Sequence, residues 1–189
     1  MAHIFRKSGI LSVCLAVITC SSLRHSYNEE ELFRGIRIPT GEKSRGVREA
    51  LEFISAKEPG IFFFITKAVS KIDMSLYYGV SHPYYDTIYL AEFALSRGPV
   101  YAASVIVHEL HHISCNRIRR KKGDEDTKWM NEYLAQHELT KAMAEKMSRR
   151  AEEKTAFSIQ LKFLLHHGSE DDIEYQRLRM ESFNKKEMR

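Results

Sequence analysis

The feature that most constrains this fold is the stretch from Val100 to Ile113, which is almost wholly apolar until it reaches His108-Glu109-Leu110-His111-His112. Gly98-Pro99 precedes it, and proline is well suited to a first helical turn. Its early residues (Ala102, Ala103, Val105, Ile106, Val107) are apolar on every face, so the reading is a helix from about 100 to 119 lying at the centre of the molecule. Burying histidine and glutamate in such a helix is costly unless they have partners. The spacing suggests one: His108 and His112 stand one turn apart on the same face, where both imidazoles can hold a single metal ion. Glu109, between them, is placed to act as a general base for a metal-bound water.

Catalytic zinc sites usually have three protein ligands and leave a position for water. The third candidate is Glu132, in Asn131-Glu132-Tyr133-Leu134-Ala135, twenty residues after His112 (132 − 112). A helix, a loop and a second helix would fill that gap. Together, His-Glu-x-x-His and the downstream Asn-Glu-x-x-Ala resemble the gluzincin metallopeptidases, particularly their compact minigluzincin branch, over roughly residues 84 to 140. The resemblance implies one zinc per chain, held by His108, His112 and Glu132, with Glu109 as catalytic base in peptide-bond hydrolysis. It also implies that Thr87 to Glu92 is a rim strand pairing with substrate backbone, a general mode of peptide recognition. The family often has an acid one turn after the glutamate ligand; here that position is Gln136, a weaker orienting group. An oxyanion donor could come from Tyr77, Tyr78, His82, Tyr84, Tyr85 or Tyr133, and the sequence does not choose among them.

The amino terminus points to export. Arg6 and Lys7 precede the apolar run Ile10 to Thr19, short for a membrane span and suited to a signal-peptide core. Val17-Ile18-Thr19-Cys20 resembles a bacterial lipobox, which implies lipidation at Cys20 after removal of residues 1–19. The expected setting is a lipoprotein of the bacterial cell envelope, facing the periplasm or the exterior, with peptide or protein as substrate. Residues 20–42 read as a tether and 43–189 as the domain. Without residues 1–19 the net charge of +4 falls to about +2 (Arg6 and Lys7 removed), too weak to suggest a nucleic-acid partner. With Cys14 removed and Cys20 acylated, Cys115 stands alone, and no structural disulfide is expected.

The expected fold is α+β: a compact zincin-like domain in which a small sheet packs on the central motif helix and the C-terminal third is helical. Helices are expected over 47–56 (Val47, Leu51 and Ile54 inward) and 61–72, and strands over 74–80 and 87–92. One long helix is expected over 128–151, then two more over 153–166 and 170–184, divided at Gly168. The basic run Arg117 to Lys122 suits the negative end of the motif helix. Glu109 and His112 also spell half of a di-iron signature, but no second Glu-x-x-His copy accompanies them. An alternative function is a lipid-anchored envelope interaction protein that keeps a zincin-like fold and a structural zinc with little or no hydrolytic activity.

Overall fold

A computed structural model describes residues 30–75, 82–120 and 127–185. The chain is mixed α+β. A five-stranded sheet, β1 (Glu30–Phe33), β2 (Ile36–Pro39), β3 (Lys71–Met74), β4 (His82–Tyr84) and β5 (Thr87–Leu90), runs in the order β1-β2-β3-β5-β4. β2, β3 and β5 are parallel, and the two outer strands pair antiparallel. The helices among the described residues are α1 (Glu42–Lys57), α2 (Pro59–Ala68), α3 (Glu92–Ser96), α4 (Pro99–Arg119), α5 (Thr127–Gln136), α6 (Lys141–Lys146), α7 (Arg149–His167) and α8 (Glu170–Lys185).

α4 is the axis of the molecule, as its composition foretold. Every residue from Tyr101 to Leu110 is buried. Gly98, with φ of 98°, supplies the left-handed turn into α4, and Pro99 opens its first turn. At its other end Arg117 donates to the Ala68 carbonyl at 2.8 Å, satisfying an open acceptor at the end of α2. α1, α7 and β5 pack around α4, and Val47, Leu51 and Ile54 of α1 are fully buried. The 61–72 helix is real but shorter: α2 ends at Ala68, and Ile72 belongs to β3.

Three expectations need correction. Residues 30–42, read as the end of a tether, belong to the domain: Phe33, Ile36 and Ile38 enter the core from a hairpin whose turn residues Arg34 and Gly35 both have positive φ. β5 is not a free rim, because β3 and β4 occupy both of its edges; the open edge next to it is that of β4. The single helix expected over 128–151 is broken. Glu138 turns left-handed (φ 58°) and Leu139 N–H donates back to the Leu134 carbonyl at 2.9 Å, closing α5. Thr140 and Ser148 then cap α6 and α7 through their hydroxyls. Tyr77 and Tyr78, most of the strand expected at 74–80 and Cys20 fall outside the described residues.

Candidate metal centre

The one-turn spacing of His108 and His112 on α4 does what geometry requires of it. Their Nε2 atoms face each other at 3.2 Å. His108, Glu109 and His112 offer donor atoms within 4.8 Å of one another, and all three sit on the buried part of the helix. Glu109 is 3% exposed. Burial pushes its carboxyl pKa above the ordinary range, opposed by the nearby imidazoles.

Glu132 does not join this group. On α5 the residues that face the core are Trp129, Met130, Tyr133 and Leu134, which sets Glu132 on the solvent side. Trp129 and Met130 pack into the core. The carboxylate beside the imidazoles belongs to Glu153 on α7: its oxygens lie 3.1 Å from His112 Nε2 and 3.5 Å from His108 Nε2. Burial raises its pKa, but both imidazoles outweigh that and hold Glu153 well below the usual carboxylate range.

The preceding residue completes the arrangement. Glu152 is buried and accepts from His112 Nδ1 at 2.7 Å, while Arg119 donates to its other oxygen. Burial alone would lower His112, yet the hydrogen bonds to Glu152 and Glu153 bring it up to about 9. Glu152 thus fixes the ring of His112 so that Nε2 points at His108 and Glu153, whereas Nδ1 of His108, the first histidine, which Gln136 was expected to hold, is buried without a partner. Gln136 is exposed on α5 and lines a different hollow, beside Glu58 and His166. His111 turns away from the pair into the core, where it is fully buried and its Nε2 lies 3.6 Å from Cys115 Sγ. Burial depresses His111 to about 3, so its ring stays neutral, and it is its direction into the core that keeps it from the pair; burial raises Cys115 to about 12, so its thiol is not poised for attack.

The donor set fits zinc. Nitrogen and oxygen ligands about 2.0–2.1 Å from a tetrahedral ion lie roughly 3.3 Å from one another. The imidazole nitrogens here are 3.2 Å apart, and the two oxygens of Glu153 lie one 3.1 Å from His112 and the other 3.5 Å from His108. Two imidazoles and one carboxylate suit a borderline-soft divalent cation, which would displace the proton that Glu152 and Glu153 hold on His112.

A cavity of about 160 Å³ opens beside this group, and His108, Glu109 and Glu153 all line it. Its other walls come from the motif helix (Tyr101, Val105), from Gln160 of α7 and from α8 (Tyr175, Arg179). Of the candidate oxyanion donors, Tyr133 is fully buried in the core with a partnerless hydroxyl. Tyr84 and Tyr85 are largely exposed. His82, on the edge strand β4, stacks on Tyr89 and lies within electrostatic reach of Glu109.

Glu153 escaped the sequence reading, although a signal was present. Glu153-Lys154-Thr155-Ala156 is a second Glu-x-x-Ala, and it begins a stripe (Ala156, Phe157, Gln160, Leu164) at helical spacing. No protein family, curated protein or solved structure matches the chain.

Proposed function

We propose that this protein is a zinc-dependent peptide hydrolase, with His108, His112 and Glu153 as metal ligands and Glu109 as general base. The observation that carries the reading is the cluster of His108, His112 and Glu153 beside a cavity that His108, Glu153 and Glu109 line. Three protein ligands with room beside them fit a catalytic site better than a closed structural one. A zinc ion held there would polarise a carbonyl and ease deprotonation of a neighbouring water. Glu109 accepts that proton and returns it to the leaving amine. Its burial strengthens this role, because a carboxylate with a raised pKa is a stronger base toward the proton of the attacking water. Glu152 and Arg119 keep His112 in position.

The proposal also sets the domain in the bacterial envelope, anchored through Cys20. No helix among the described residues is long and apolar enough to cross a membrane.

Cleavage of a generic peptide library by the full chain tests the activity. Hydrolysis is expected with zinc, is expected to stop with a chelator, and should return when zinc is restored. Glu109→Gln should keep the metal and lose on the order of a hundredfold or more in rate. Library peptides left intact under all conditions would refute the assignment, and wild-type rates from Glu109→Gln would refute the base.

A further inference from the structure

The cavity beside the cluster contains one cation that the proposed hydrolysis does not use. Arg179, on α8, lines the cavity together with Tyr101, His108, Glu109 and Glu153. Its Nη1 lies 3.3 Å from the Tyr101 hydroxyl, to which it donates, and its guanidinium packs over the Phe157 ring at 5.2 Å. Among the described residues no carboxylate pairs with it. The neighbouring arginine differs: Arg97 is neutralised by Asp172, at 2.7 Å.

Charge balance makes the contrast informative. A divalent ion on the three ligands would offset the two carboxylates of Glu109 and Glu153, leaving the positive charge of Arg179 unmatched inside a half-enclosed space. Tyr101 adds a second donor. Burial holds its phenol pKa above the ordinary value, so it stays protonated, and by accepting from Arg179 it leaves its own proton free to donate. An arginine and a hydroxyl side by side suit a carboxylate. The volume matters too: about 160 Å³ is enough for a residue-sized group.

We infer that Arg179 and Tyr101 bind a carboxylate of the substrate, so that the site favours peptides presenting that group close to the scissile bond. The inference rests on the peptidase reading for its context but can be tested by binding alone. Two sources offer this chemistry: the α-carboxylate at a peptide's carboxyl terminus and an acidic side chain.

The probes are the acetylated dipeptide Ac-Phe-Ala as free acid, Ac-Phe-Ala amide and Ac-Phe-Glu amide. Each is titrated by calorimetry into the zinc-treated, full-length Glu109→Gln protein. The free acid should bind at least about tenfold more tightly than Ac-Phe-Ala amide, a preference that Arg179→Gln should abolish and Arg179→Lys should partly keep. Tyr101→Phe should weaken the preference without removing it, and it supplies an independent readout should Arg179→Gln disturb the docking of α8. If Ac-Phe-Glu amide matches the free acid and loses its advantage in Arg179→Gln, the carboxylate comes from a side chain. Equal binding of all three probes, no binding of any, or a preference untouched by Arg179→Gln overturns the inference. Hydrolysis assays on the wild type then separate the two claims. Zinc-dependent cleavage without carboxylate preference removes the role of Arg179 alone, while carboxylate binding without cleavage removes the peptidase reading alone.

Discussion

At the scale of single residues, the molecule buries several titratable groups, and each must be reconciled with its surroundings. At the candidate centre this is done by pairing: His112 between Glu152 and Glu153, Glu152 between His112 and Arg119. His137 has no such arrangement. It packs edge-on against Tyr133 at 4.7 Å with a buried, partnerless Nε2. Burial, reinforced by Lys162, depresses its pKa to about 4. A histidine held neutral by the fold contributes stability above its unfolded pKa of about 6.5, and that contribution is lost as pH falls toward the folded value. The loss amounts to at most about 3 kcal/mol between pH 6.5 and 4. Chemical denaturation across this range should therefore show a shallower decline for His137→Gln than for the wild type. Parallel declines would show that His137 titrates normally in the folded chain.

At the scale of elements, the assembly depends on how α7 lies along α4. Ser148 caps α7, Glu152 comes in its first turn with Glu153 next, and Ala156, Phe157, Gln160, Phe163 and Leu164 continue the buried stripe. The helix ends at Gly168, where an added Cβ would come within 2.8 Å of the Leu164 carbonyl oxygen. Gly168→Ala should therefore destabilise the fold by about 1–3 kcal/mol, read from denaturation midpoints; an unchanged midpoint would mean the junction yields freely. The same elements show what could be read in advance. α4 was legible because its composition leaves no polar face. α7 was not, because whether Glu152 and Glu153 are surface charges or buried ligands depends on the breaks at 137–140 and 147–148. Those breaks rest on one left-handed residue, Glu138, and two hydroxyl caps, all weak signals in a segment dense with lysine, arginine and glutamate. Glu132 was chosen for its distance from His112 and for the Asn-Glu-x-x-Ala around it, neither of which registers that the apolar residues of α5 turn it to solvent. The hairpin of β1 and β2 was missed for a similar reason: its strands are only four residues each, too short for alternation to stand out.

At the scale of the whole molecule, the sheet and α1 hold one side of α4 while α7 and α8 close the other, so the candidate centre joins two parts of the chain far apart in sequence. His108 and His112 come from the axis and Glu153 from the helical C-terminal third. An ion bound there would cross-link them, and binding to the native state alone stabilises it by mass action. Chelation should therefore lower Tm, and zinc should restore it, by an amount equivalent to about 4 kcal/mol at free zinc a thousandfold above Kd. A Tm indifferent to chelator would place no ion between these helices.

The most direct measurement is the zinc content of purified, dialysed protein for the wild type, Glu132→Ala and Glu153→Ala. The wild type and Glu132→Ala should each carry about one zinc per chain, and Glu153→Ala should carry far less. Full zinc in Glu153→Ala, or its loss in Glu132→Ala, would contradict the ligand set drawn from α4 and α7.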